Sequence, residues 1–241
     1  MLLLRSIFFY CGLTLSTFIF VPLGILIYPL PLALRFRIIS KWAVFNLYWL
    51  RLCCNLSHEI KGLENIPKDG AAIIMCKHQS AWETLALQQF FPPQVWVLKR
   101  ELLWIPIYGW GLAAMDPIAI DRGSATKALR QIVEQGCRRL KQGLWVVIFP
   151  EGTRTPAGSR QKYQPGGGML ASKSGYPVIP VAHNSGYFWP RNSIRKWPGK
   201  ISMVIGPAIE TRGKSAKEIS RETEEWIEST VASLPAPVNN L

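Results

Sequence analysis

Ala71-Ala-Ile-Ile-Met-Cys-Lys-His-Gln-Ser-Ala-Trp-Glu83 is the segment on which the fold turns. Its first half, Ala71 to Cys76, is an unbroken apolar run and reads as a strand. Its last four residues, Ser80 to Glu83, have the spacing of a capping box and open a helix that runs to Phe91. A buried strand that feeds directly into a helix is half of a βαβ unit.

Outward from that junction the pattern repeats. Val95 to Leu98, Pro117 to Ile120, Leu144 to Phe149, Val178 to Ala182 and Ile201 to Ile205 are further apolar runs bounded by breakers. Ser124 to Gln142 and Gly167 to Ser174 lie between them and carry helix-spaced or helix-forming residues. The predicted class is therefore α/β, with a mostly parallel central sheet flanked by helices. Sites in such sheets collect beyond the carboxyl ends of the strands, where His78 and Glu151 fall. Ser215 to Ser233, with Glu218, Glu222, Glu224, Glu225 and Glu228, reads as a solvated closing helix.

Upstream, no residue from Ser6 to Leu34 is charged, a stretch longer than the roughly 20 residues an α-helix needs to cross a bilayer core. Pro22 is expected to kink such a helix, and Pro29 with Pro31 to end it. A single span places Arg35, Arg37 and Lys41 on the cytoplasmic side; a re-entrant hairpin puts both ends there. A cleaved signal peptide fits poorly, because the apolar run is too long and no A-x-A site follows it. From Lys41, the residues Trp42, Phe45, Tyr48, Trp49, Leu52 and Leu56 recur at helical spacing, which suits either the headgroup layer or a core-facing helix. The expected organisation is a membrane-attachment segment of helices over 1–57 and an α/β domain over 58–241.

Composition narrows the function. Hydrophobic residues make up 49% and charged ones 18%, which excludes a disordered chain. The 5 cysteines show no paired spacing and suit a reducing compartment. Lys and Arg number 28 against 15 acidic residues, so a net charge of +13 draws anions. The 10 tryptophans favour lipid over nucleic acid as the anionic partner, since indole concentrates at membrane interfaces.

Two constellations carry chemistry. His78 and Glu83 are five positions apart across the strand-to-helix junction, and they meet only if His78 precedes the helix. An imidazole held by a carboxylate is a general base; a capping role for Ser80 and Glu83 is the competing explanation. Phe149-Pro-Glu-Gly-Thr-Arg154 presents a carboxylate and a phosphate-binding guanidinium around a turn glycine. Lys99, Arg100 and Arg122 end neighbouring strands and add positive potential. No G-x-S-x-G elbow occurs, Gly213-Lys214-Ser215 has Ala208 where a P-loop needs glycine, and His58, His78 and His183 lack metal-ligand spacing. Gly109 to Ala114 only loosely imitates a dinucleotide fingerprint, and Cys76 reads as packing.

His78-x4-Glu83, the Lys99 to Arg122 segment, Phe149 to Arg154, and Val178 to His183 together resemble, in order and spacing, the glycerolipid acyltransferase family, in particular 1-acylglycerol-3-phosphate (lysophosphatidic acid) acyltransferases. The resemblance spans about residues 60–210. Where the family usually has Asp, this chain has Glu83, one methylene longer. The resemblance implies transfer of a fatty acyl group from acyl-CoA or acyl-carrier protein to lysophosphatidic acid, giving phosphatidic acid, on the cytoplasmic face of a bacterial inner membrane. It implies His78 as general base oriented by Glu83, and an acceptor site made of Arg154, Glu151, Gly152, Thr153, Lys99 and Arg122. No cofactor and no nucleic acid are implied; membrane phospholipids are the surroundings. Another acceptor lysolipid, glycerol-3-phosphate, or a non-catalytic anionic-lipid binder are the alternatives, and Gly166 to Gly168 are candidate oxyanion donors.

Overall fold

A computed structural model describes residues 1–237 of the chain. The apolar runs become strands β2 (Ile73–Cys76), β3 (Gln94–Lys99), β4 (Ile118–Ile120), β5 (Trp145–Ile148), β6 (Val178–His183) and β7 (Gly199–Ile205), preceded by β1 (Leu56–Lys61). They form one seven-stranded sheet in the order β1-β7-β6-β2-β5-β3-β4. All neighbours pair in parallel except β6 and β7, where Val181 faces Ile205 in an antiparallel register. Every residue of β2, β5 and β6 is buried, which is why these strands read as continuous apolar runs rather than alternating ones.

β1 stands at the sheet edge and is mostly half-buried, so Leu-Ser-His-Glu-Ile-Lys lacks such a run. The helical periodicity before it was expected to reach Leu56 but stops at Cys54, because Asn55 takes the left-handed conformation (φ 51°) that caps a helix.

Five helices complete the body: α3 (Trp82–Phe90), α4 (Tyr108–Ala113), α5 (Ala125–Lys141), α6 (Gly166–Ser174) and α7 (Ala216–Ser233), numbered after the two N-terminal ones below. Ser124 caps α5 by accepting from Lys127 N–H, and Ser215 with Glu218 forms a full capping box on α7. α5, α6 and α7 pack in a row, with α6 against β2 and α7 against β6. Gly166, Gly167 and Gly168 make this contact close: a side chain there meets Ile132 of α5, Met75 of β2, and Ser220 with the Ala216 carbonyl of α7. The three glycines thus serve helix packing. Gly109 likewise abuts the Leu103 carbonyl, a steric reason for its glycine that involves no nucleotide.

The N-terminal segment is a helical hairpin of α1 (Leu2–Leu26) and α2 (Leu32–Cys54). Pro31 stands just before α2, its carbonyl accepting from Leu34 and Arg35 N–H, while Pro22 is accommodated inside α1. The helices are antiparallel: Ser16 Oγ accepts from Trp42 Nε1 (3.1 Å) and Asn46 Nδ2 (3.2 Å), and further along the Phe8 and Trp49 rings meet at a tilt, centroids 5.4 Å apart. α1 is long and apolar enough to cross a membrane, with a mean hydropathy of 1.9. Leu4, Phe8, Leu15, Ile19 and Leu26 are exposed on it.

The hairpin is fastened to the body at both ends. Lys196 N–H donates to Ser6 Oγ (2.8 Å), and its ammonium lies over the rings of Tyr10 (4.7 Å) and Trp189 (4.9 Å). At the other end, Arg35 is buried and donates to the Ala114 carbonyl (2.7 Å).

Candidate active site

β2 ends at Cys76 and α3 begins at Trp82, so His78 sits in the intervening turn and its ring can fold back on the helix start. His78 Nδ1 lies 2.8 Å from Glu83 Oε1. The expected capping box does not form, since the N-cap of α3 is Ala81 with no side-chain cap bond, but the same residues satisfy backbone donors in the turn before it: Glu83 Oε1 accepts from the N–H of Gln79 (2.9 Å) and Ser80 (2.8 Å), and Ser80 Oγ accepts from Trp82 N–H (2.8 Å). One carboxylate therefore holds both the imidazole and the turn backbone. Its other oxygen accepts from Ser80 Oγ (3.0 Å) and Ser185 Oγ (3.1 Å), with the His183 ring 3.9 Å away. Glu83 is fully buried, which alone raises a carboxyl's pKa, yet the neighbouring imidazoles and these hydrogen bonds bring it down to about 2.

An ionised carboxylate only accepts, so the proton of neutral His78 resides on Nδ1 and Nε2 keeps its lone pair. Phe149 stacks on the imidazole with centroids 3.8 Å apart and planes at 11°, which fixes the ring. His183 behind Glu83 is buried; its Nε2 meets the Lys77 carbonyl (2.7 Å) and its Nδ1 meets Ser185 N–H (3.3 Å). That pattern requires a proton on Nε2, and burial pulls the His183 pKa down against the attraction of Glu83.

The loop after β5 is laced to the same turn. Glu151 Oε1 accepts from His78 N–H (3.2 Å), while Thr155 donates to the His78 carbonyl from both its N–H (2.8 Å) and its Oγ1 (3.0 Å). The His78 peptide is thereby gripped on both sides by one loop. Gly152 takes φ +72° to turn that loop, and its carbonyl accepts from Arg122 (2.6 Å), which ties in the end of β4.

Arg154 immediately precedes Thr155 on the loop bonded to the His78 peptide, half-buried and with no carboxylate ion-pair partner among the described residues. Its charge acts on the Tyr108 hydroxyl of α4, and Arg191 donates to its carbonyl (3.3 Å). Thr153 is half-buried next to it. Lys99 is more distant in its bonding: it is exposed and faces Glu101 (3.7 Å). Along α1, an open apolar hollow of about 690 Å³ is lined by Tyr10, Phe18 and Ile194 among others.

A protein-family model described as Acyltransferase matches residues 57–184. The chain is 43% identical to the 1-acyl-sn-glycerol-3-phosphate acyltransferase of Pseudomonas aeruginosa, over 96% of this chain and 91% of that one. The chain belongs to the acyltransferase family. It is 26% identical to 1-acyl-sn-glycerol-3-phosphate acyltransferase alpha of Homo sapiens, over 78% of this chain and 68% of that one. The crystal structure of the 1-acyl-sn-glycerophosphate acyltransferase PlsC from Thermotoga maritima superposes with a TM-score of 0.82 at 26% identity, covering 99% of this chain and 98% of that chain.

The candidate site holds more than sequence reading named. Lys77, Thr155, Tyr163, His183, Ser185 and Glu228 all join the network around His78 and Glu151. Thr155 and Lys77 had a signal, since each adjoins a named residue. Glu228 did not. It lies on α7, expected as solvated, but its side chain is only 12% exposed because that turn of the helix faces inward onto Lys77.

Proposed function

We propose that this acyltransferase moves a fatty acyl group from an acyl-CoA or acyl-carrier-protein thioester to the free sn-2 hydroxyl of 1-acyl-glycerol-3-phosphate, giving phosphatidic acid. The observation that carries this is the His78–Glu83 pair, ionised on the carboxylate side and fixed by the same loop that presents Arg154.

His78 Nε2 takes the acceptor hydroxyl's proton as that oxygen attacks the thioester carbonyl. The tetrahedral intermediate collapses with cleavage of the carbon–sulfur bond, and the imidazolium returns its proton to the departing thiolate. Glu83 stabilises the imidazolium between the two transfers. Arg154 binds the acceptor phosphate through its planar fork; Arg122 and Lys99 add positive potential, Glu151 and Gly152 shape the loop, and Thr153 donates a further hydrogen bond. The hairpin of α1 and α2 seats the enzyme in the bilayer, with the α/β body on the cytoplasmic face of a bacterial inner membrane.

Thiol release from acyl-CoA and lysophosphatidic acid, assayed with the full chain in vesicles, tests the proposal. His78→Ala should lower turnover by about 10²–10⁴, the worth of a positioned base. Turnover within a few-fold of the native rate removes His78 from that role. Arg154→Ala should raise the acceptor KM, and an unchanged KM for lysophosphatidic acid against an uncharged monoacylglycerol removes Arg154 from the phosphate site.

A further inference from the structure

The chemistry above gives no task to Lys77 or to the C-terminal helix, yet buried charges connect them. Lys77 is fully buried and directly precedes His78. Its ammonium lies 2.7 Å from Glu228 Oε1 on α7 and 3.3 Å from Glu151 Oε1 on the loop after β5. The Ser159 carbonyl is 3.4 Å away, and Tyr163 OH donates to the same Glu228 oxygen (3.0 Å).

Glu151 Oε1, the atom Lys77 holds, is also the acceptor of His78 N–H. Glu151 Oε2 is buried with no hydrogen-bond partner. The orientation of this carboxylate therefore rests on one oxygen, and Lys77 is the one cation that grips it among the described residues. Such an arrangement is a poor way to gain stability, because buried charges lose hydration and hydrophobic replacements of like volume serve as well or better. What the charges do supply is a fixed direction at the His78 peptide.

We propose that Lys77 and Glu228 are positioning residues for acyl transfer: the ammonium, aimed by the α7 carboxylate, clamps Glu151 onto the His78 N–H and so sets the reach of the imidazole toward the acceptor hydroxyl. α7 is then a part of the active site's framework rather than a cover. The clamp rests on His78 being the base, and the test separates the two.

The full-length enzyme is assayed in vesicles as the Lys77→Met/Glu228→Leu double variant, with Glu228→Gln and His78→Ala alongside, measuring kcat, both KM values and the melting temperature. The double variant removes both charges but leaves buried Glu151 without its cation, so its melting temperature should fall somewhat, and kcat is measured well below that temperature. Its kcat should still fall about tenfold, the scale of one lost hydrogen bond to a charged group, with both KM values within twofold. A double variant with native kcat, or one whose kcat and melting temperature recover together, overturns the clamp.

Should the double variant not fold, Glu228→Gln carries the test, being isosteric. A kcat drop of about threefold or more at unchanged KM and melting temperature supports the clamp, and native kcat overturns it. Full turnover in His78→Ala removes the base assignment itself, whereas an inactive His78→Ala beside a native-rate double variant removes only the clamp.

Discussion

Two carboxylates flank His78, both buried, and they are held in opposite ways. Glu83 accepts hydrogen bonds at both oxygens and sits near two imidazoles, and its pKa falls to about 2. Glu151 is held through one oxygen, and burial lifts it to about 7 against the pull of Lys77 and the backbone donors. Equal burial thus gives unequal charge. The imidazoles and donors gathered around a carboxylate, rather than its depth, decide whether it stays ionised. The two acids differ accordingly: the carboxylate facing the imidazole is held as an anion, and the one facing its backbone has a single cation, Lys77, beside it.

The harshest way to break that contrast is Glu83→Gln. An amide in a nest built of donors loses the anion and confronts the His78 and Ser185 donors with an N–H₂ or a weaker acceptor. Turnover should drop by about 10³–10⁴, as when the acid of a hydrolase triad is made an amide. Thiol release at saturating substrates measures it, and a loss under tenfold erases the distinction between the two acids.

Glu151→Gln should cost far less, about tenfold in kcat, because the amide oxygen still accepts from His78 N–H but holds Lys77 weakly. Its signature lies in stability against pH. Glu151 has a folded pKa above its ordinary 4.5, so it favours the fold while protonated, and stability declines as pH rises from 4.5 to about 7. Glu83 is depressed, so its contribution is complete above 4.5 and fades as pH falls toward about 2. Urea midpoints across both windows should show Glu151→Gln flattening the upper decline alone and Glu83→Gln the lower alone.

Thr155→Val makes the smallest change. It deletes the hydroxyl bond to the His78 carbonyl and keeps the N–H bond, for a loss of about two- to fivefold in kcat. A larger loss means that the carbonyl side of the His78 peptide matters as much as the Glu151 side.

Sequence reading reached the central strands because β2, β5 and β6 are enclosed on both faces, and full enclosure leaves an apolar run that needs no partner to be recognised. The edge strand β1 and the one-and-a-half-turn α4 leave no such mark. The same division holds in the site. His78 and Glu83 are close along the chain and share one helix start, so their spacing alone limits how they can meet. Lys77 and Glu228 are 151 positions apart, and Glu83 and Ser185 are 102 apart; only the packing of α7 and the sheet order bring them together. Basic residues were legible as charge and not as geometry: Arg154 adjoins the turn, whereas Lys99 spends its charge near Glu101.

The fastening of α1 by Ser6, Tyr10 and Lys196, and of α2 by Arg35, has a consequence for how such an enzyme feeds. A catalytic body on a flexible tether would bob above the leaflet and capture lipids that lift out of it. Here the helices are struts against the α/β body, so the site keeps a fixed height relative to whatever surface the hairpin occupies.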